Sequence, residues 1–374
     1  MELAEKLYQN ENKELQEIWK NHPFVYFNPK LIYLGFQIIR EAVENQDYEF
    51  FTNRIRNNFL PELGNREVDE AFIQAANRGI NSLNYLCNEN LGETAAPFLM
   101  EELTNPNLFD LTRTARENWI KSRNGRHSID ISRFFPAYNS VRAYGLGNLV
   151  LMIDTSPEVL NSVRHNNLAL NWFTHHFRFR SPEKTDIEGL PFSWKTDAEV
   201  RVYGSESKAI KSRLKILTED GSLKYGSILM KMTLKGSYTD EIMDFSGVEF
   251  IVKDQDDRDK LVNYFRKMRG SATLEKFKSP GKRGAQNRSK HSNSDFDCTK
   301  FIIRPPVSVS SIEPFKQPYE RIPVEVQILT LDAHRQRTEN PDVAHEAYKR
   351  RQFMEAFPLW YPREVYEHKL MQVS

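Results

Sequence analysis

The sequence predicts an α+β protein in which a mixed β-sheet flanked by helices is preceded by a mainly helical N-terminal domain. Up to about residue 190, apolar side chains recur at three- and four-residue spacing, the period of helices with one buried face. From about residue 195, short β-branched and aliphatic runs alternate with helical segments. Two of these runs carry carboxylates where a core strand should carry none.

In the first part the helical segments include LIYLGFQIIREAVEN and VDEAFIQAANRGINSLNYLCN. The run LVLMID (Leu149 to Asp154) reads as either a short strand or buried helix, which periodicity cannot separate. His175 and His176 are adjacent, so they point in different directions, and with no third ligand nearby they are expected to be structural. In the second part EVRVYG (Glu199 to Gly204) and SRLKIL (Ser212 to Leu217) read as strands, the latter with a short helix before it as an alternative. YGSILMKMTLKG reads as a helix stopped by its glycine. EIMDFSGVEFIV (Glu241 to Val252) is a strand, DRDKLVNYFRKMRG a helix, and TKFIIRP and IPVEVQIL (Ile322 to Leu329) strands. A last helix runs through DVAHEAYKRRQFMEAF, with Pro358 and Pro362 closing it.

A length of 374 residues suits two domains, set at 1–194 and 195–374. A net charge of +1 gives no global attraction to nucleic acid or membrane, so any basic function must be local. Cys87 and Cys298 have neither metal-ligand nor disulfide spacing and read as plain thiols of a reducing compartment. The N-terminus has no apolar signal core and no window reaches a membrane-spanning length, so a soluble cytoplasmic protein is expected.

Burying a carboxylate costs several kcal/mol unless a metal ion or a cationic partner compensates it. Asp244 and Glu325 are therefore the candidates for metal binding and catalysis. Between them lies a basic stretch of Arg266, Lys267, Arg269, Lys276, Lys278, Lys282, Arg283, Arg288 and Lys290, opposed by Glu275 alone. Its glycines, serines and Pro280 predict a mobile loop rather than a buried element. Such a loop suits closure around a polyphosphate, contact with an RNA backbone, or plain solvation.

With these residues in place, the C-terminal half resembles the synthetase domain of the RelA/SpoT family, the (p)ppGpp alarmone synthetases. Four blocks carry the resemblance in the family's order. SILMKM (Ser227 to Met232) is similar to the serine-to-lysine helix, and EIMDFSGVEFIV to the strand with the magnesium-binding aspartate, here Asp244. VEVQIL is similar to the glutamate-x-glutamine strand, giving Glu325 as catalytic and Gln327 as its companion. AHEAYKRRQ (Ala344 to Gln352) is similar to the closing helix, giving His345 and Lys349. The resemblance covers roughly residues 195 to 355 and names nothing in the first half, which stays open as a regulatory unit, an oligomerisation unit or a lid.

The resemblance implies a nucleotidyltransferase-like fold and an ATP-dependent pyrophosphokinase. It would move the β,γ-pyrophosphate of ATP to the 3′-hydroxyl of a guanine nucleotide, with Mg²⁺ held by Asp244 and Glu325. Other acceptors in the family's range are the 3′ end of tRNA and adenine nucleotides, and a scaffold that kept the fold but lost turnover is the non-enzymatic alternative. Phosphate contacts fall to Ser227, Lys231, Lys276 and Lys278, with Lys215 and Lys224 at the basic approach to the helix. Arg266 or Arg269 would stack on adenine.

The chain also departs from the family. Glu249 stands where members commonly have an arginine, a charge reversal beside the metal that works against ordinary handling of a nucleotide. The asparagine-glycine-tyrosine signature is not present as such. Counting back from TKFII puts Phe296 near its ring position and Lys300 near the family's histidine. Without a histidine-aspartate dipeptide, a short, stand-alone synthetase without the hydrolase is expected. This reading leaves room for an antitoxin-like or regulatory protein partner and for oligomers, and it involves no membrane.

Overall fold

The computed structural model describes residues 49–104, 108–124, 128–129, 131–164, 172–173, 183–184, 192–195, 200–204, 211–214, 224–235, 239, 242–267, 273–278, 298–308, 319–340 and 345–361. In chain order its elements are α1 (Phe50–Phe59), α2 (Asn65–Leu91), α3 (Leu108–Ser122), β1 (Arg123–Asn124), β2 (Ser128–Ile129), α4 (Ile131–Thr155), β3 (Glu183–Lys184), β4 (Phe192–Lys195), β5 (Arg201–Gly204), β6 (Lys211–Leu214), α5 (Tyr225–Lys235), β7 (Ser246–Val252), α6 (Gln255–Lys267), β8 (Thr273–Lys278), β9 (Thr299–Arg304), β10 (Pro306–Ser308), β11 (Tyr319–Arg321), β12 (Val324–Thr330), α7 (Leu331–Glu339) and α8 (His345–Trp360). They pack as two units. One takes the described parts of Met1–Thr155, Lys224–Ser237 and Phe353–Ser374, the other those of Ser156–Leu223 and Tyr238–Gln352.

The first unit is helical. α2 and α4 form its centre, and glycine lets them approach closely: a Cβ at Gly147 would stand 2.5 Å from the Phe72 ring, and one at Gly79 would stand 2.9 Å from Leu146 Cβ. α2 ends at Gly92, whose φ of 56° is a conformation a side chain disfavours. Beyond it the chain returns along α2, clipped by two asparagines. Asn77 exchanges hydrogen bonds with the backbone of Leu103, and Asn84 does the same with Met100. The run Leu149 to Asp154 is helical, within α4; it is buried on most sides, which gave it a strand-like apolar continuity. α5 packs in this unit, burying Ile228, Leu229, Met230 and Met232.

The second unit is built on an eight-stranded mixed sheet in the order β3-β4-β5-β7-β12-β9-β8, with β6 also pairing with β7. β7 and β12 are parallel, whereas β9 lies antiparallel to β12 and β5 and β6 antiparallel to β7. The sequence expectation of a mixed sheet with flanking helices is therefore met. Every residue of β7 is buried, as its run of Val, Phe and Ile at the centre of a sheet requires. One sheet face carries Val248, Phe250, Val252, Phe301, Ile303, Val324, Val326 and Ile328, which pack with Leu261, Val262 and Phe265 of α6. α6 places Asp256 and Asp257 in its first turn and Arg266 and Lys267 in its last, matching its dipole. α7 follows β12 directly, its first turn capped by Thr330 Oγ1, which accepts from the Ala333 N–H at 3.2 Å.

Several expectations are corrected by these elements. The strand holding the aspartate begins at Ser246, so Asp244 precedes it rather than lying in it. The stretch expected to be a loop after Arg266 contains β8, an edge strand paired with β9 through a register shift between Glu275 and Lys278. Basic residues are the usual protection of an exposed sheet edge, which is why the composition hid a strand. Pro358 lies inside α8 and does not close it; the Tyr361 N–H donates to Phe357 O at 2.8 Å, continuing the helical pattern past the proline.

Candidate active site

Side chains alternate across a strand, so the residues between the core positions of β7, β12 and β9 share the opposite face. The register sets Glu249 beside Gln327 and Gln327 beside Lys300; one step along, Glu325 stands between Gly247 and Ile302. A polar row therefore crosses the middle of the sheet. Asp244 lies just before β7, at the same end of the parallel pair as Glu325, the second residue of β12. All four of Asp244, Glu325, Gln327 and Lys300 are half-buried.

Lys300 reports on what surrounds it. Burial alone would pull its pKa down, but Glu325, Cys298, Tyr348 and Asp244, in that order, raise it, and the net shift is upward. Both candidate carboxylates thus act on one ammonium group. Gln327 Nε2 donates to Glu325 Oε2, which fixes the orientation of that carboxylate. Burial pushes the Cys298 thiol up to about 12, so this cysteine is no nucleophile at neutral pH.

Glu249 does not add free charge to the row. Arg337 of α7 grips it with Nη1 to Oε2 at 2.6 Å and Nη2 to Oε1 at 2.8 Å, and Arg337 Nη2 also lies 3.3 Å from His334 Nδ1. The two side chains are 5% and 14% exposed. The negative charge that Glu249 brings in place of the family's arginine is thus paired inside the fold. Arg337 was not singled out in the sequence, although a buried glutamate in a strand calls for a cation, and the helix following the neighbouring strand supplies it. Tyr348 was likewise passed over, and so were Lys211 and Arg213 of β6, whose register partners are Glu249 and Gly247.

Ser227 and Lys231 belong to the helical unit, one turn apart on α5 and both half-buried, with Lys224 exposed just before the helix. Arg266 is exposed in the last turn of α6. Lys276 and Lys278 lie on β8, where Lys278 takes the register position beside Lys300. His345 begins α8 and Lys349 is half-buried one turn on. Lys215, Arg269 and Phe296, with His175 and His176, lie outside the described residues.

Asp244 and Glu325 are the residues that would hold a magnesium ion. Asp244, Glu325 and Glu249 bring three negative charges, and Arg337 and Lys300 two positive ones; with the Arg337 charge spent on Glu249, the surplus lies on the Asp244 and Glu325 oxygens. Among the described residues no group of three or more His, Cys, Asp or Glu is placed to hold a metal. Two carboxylates, with phosphate and water oxygens completing the shell, are the habit of Mg²⁺ at phosphoryl-transfer sites.

The chain is similar in structure to small alarmone synthetases over about half of its length. Small alarmone synthetase 2 from Bacillus subtilis matches at 17% identity over 57% of this chain and 96% of its own, with a TM-score of 0.31. Small alarmone synthetase 1 from the same organism, bound to its product pppGpp, matches at 19% identity over 44% and 79%, with a TM-score of 0.27. A GTP pyrophosphokinase family protein from Streptococcus pneumoniae matches at 16% identity over 43% and 72%, with a TM-score of 0.25. No family model matches the sequence, and neither does any curated protein. Among the described residues, no helix is long and apolar enough to cross a membrane.

Proposed function

We propose that this protein is an ATP-dependent pyrophosphokinase that transfers the β,γ-pyrophosphate of ATP to the 3′-hydroxyl of a guanine nucleotide. The observation that carries the reading is the polar row across the sheet, with Glu325 near the start of β12 and oriented by Gln327, Lys300 beside Gln327 on β9, and Asp244 just before the adjacent parallel strand β7. The four sequence blocks shared with the alarmone synthetases support it.

In this reading Glu325 accepts the proton of the attacking 3′-hydroxyl, and Gln327 holds the carboxylate in the orientation that reaches it. The Lys300 ammonium balances charge beside the carboxylates and faces the phosphates as they gain charge. The Ser227 hydroxyl and the Lys231 ammonium, on one helix face, contact the phosphate chain. Asp244 and Glu325 would hold Mg²⁺, which when bound screens the phosphate charge. The hydroxyl oxygen bonds to the β-phosphorus and AMP departs with the electrons of the broken phosphoanhydride bond.

A second reading keeps the donor and changes the acceptor to a tRNA 3′ end or an adenine nucleotide. It is favoured by Lys300, which falls near the family's histidine in the resemblance. Incubating the protein with Mg²⁺ and γ-labelled ATP against GDP, GTP, AMP and tRNA separates the acceptors. Label on a guanine nucleotide, lost in Glu325→Gln, is expected; label on none of the four would overturn both readings.

A further inference from the structure

The helical unit contains a tether that no candidate above uses. Asp154, next to last in α4, accepts a hydrogen bond from Tyr225 Oη at 2.6 Å through Oδ1 and pairs with Arg78 of α2 at 2.6 Å through Oδ2. The Arg78 guanidinium also lies over the Tyr225 ring, 5.4 Å from its centroid. An acid is poorly placed at a helix C-terminus, where the dipole repels negative charge. Asp154 is also largely withdrawn from water, with 22% of its side chain exposed. Local stability gives no reason for an aspartate at this place, and the groups it holds supply one.

Tyr225 is the first residue of α5, directly before the turn that carries Ser227. Two further contacts hold the same helix. Gly226 lies against α2 so closely that a Cβ would stand 3.1 Å from Leu86 Cδ1, and Trp360 Nε1 donates to Thr233 Oγ1 at 2.9 Å near the other end. The contact at Gly226 fixes the depth of α5, and the two hydrogen bonds, one near each end, fix its rotation about its own axis. That rotation decides where Ser227 and Lys231 point, because a helix turns about 100° per residue.

We propose that Asp154, oriented by Arg78, is a positioning residue for nucleotide binding: through Tyr225 it sets the rotation of α5 and so aims Ser227 and Lys231 at the phosphate chain. This rests on the phosphate-binding role assigned to Ser227 and Lys231 above.

The test measures affinity for a non-hydrolysable ATP analogue with Mg²⁺, together with melting temperature. Tyr225→Phe keeps the ring under Arg78 and removes the hydrogen bond; it should weaken binding about tenfold, the scale of one such bond, with little change in melting temperature. Asp154→Ala should weaken it similarly, and Asp154→Asn, which retains an acceptor oxygen, should restore most of the loss. In a background of Ser227→Ala with Lys231→Met, Tyr225→Phe should have no further effect, since the groups it aims are gone; a merely structural tether would weaken both backgrounds equally. Unchanged affinity in Tyr225→Phe, alongside a loss in Lys231→Met, would overturn the positioning role alone. If the unaltered protein does not bind the analogue, or Lys231→Met binds as well as it does, the assignment of Ser227 and Lys231 falls and this inference falls with it.

Discussion

Glu249 in the central strand and Arg337 in the helix after β12 form a buried two-point ion pair at 2.6 and 2.8 Å. It ties α7 to the sheet face that carries Glu325 and Gln327. Removing Arg337 takes from the buried Glu249 its two-point counter-ion, so Arg337→Leu should cost about 3–5 kcal/mol in urea unfolding. Replacing both, as Glu249→Leu with Arg337→Leu, removes the desolvation penalty with the attraction and should recover most of that loss. A double variant as unstable as the single one would show that the pair does more than neutralise charge.

The crossing of α2 and α4 depends on Gly147, where an added methyl group would stand 2.5 Å from the fully buried ring of Phe72. Gly147→Ala should therefore destabilise the protein by about 1–3 kcal/mol, the usual range for overpacking, despite the better helix propensity of alanine. Shortening the obstacle with Phe72→Leu in the same chain should relieve part of the loss. Thermal melts of the two single variants and the double variant check this.

Both cysteines are buried and free. Burial raises both thiol pKa values, that of Cys298 to about 12. A thiol-reactive dye at neutral pH should label neither in the native protein and both after denaturation. Rapid native labelling at Cys298 would mean that the sheet opens at the candidate site.

The parts of the fold legible in the sequence were those with a strong period. β7, β9 and β12 stand as short runs rich in β-branched, aliphatic and aromatic residues, and α6 shows buried Arg258, Leu261, Val262 and Phe265 on one stripe. Where a strand begins is set by pairing, which leaves no mark on composition, so EIMDF read as strand although the ladder starts at Ser246. Pro358 did not end α8 because Trp360 and Tyr361 beyond it are buried, and their packing outweighs one missing hydrogen bond. Lys300 lies within TKFII, a run legible as the strand that became β9. Arg337 was not legible, because an ion pair between residues so distant in the chain has no sequence spacing to find it by.

Asp154 makes the stability of the protein depend on pH. Burial raises its pKa above 3.8, outweighing the opposing effects of the Tyr225 hydrogen bond and of Arg78. The native chain therefore holds this proton to higher pH than the unfolded chain does. Between the two pKa values the native state binds more protons, so stability falls as pH rises. The contribution is fully present below about 3.8 and is lost as pH climbs through the folded value, above which it no longer changes. Asp154→Asn cannot ionise, so its stability relative to the unaltered protein should rise across this window and then level. Asp69, whose pKa is also raised by burial, is common to both proteins and cancels in the comparison. Urea unfolding of the pair from about pH 3 to about pH 7 measures the difference. If the unaltered protein gains on the variant as pH rises, attraction to Arg78 outweighs desolvation, and Asp154 is a stabilising ion-pair partner rather than a residue kept at a cost for its hold on Tyr225.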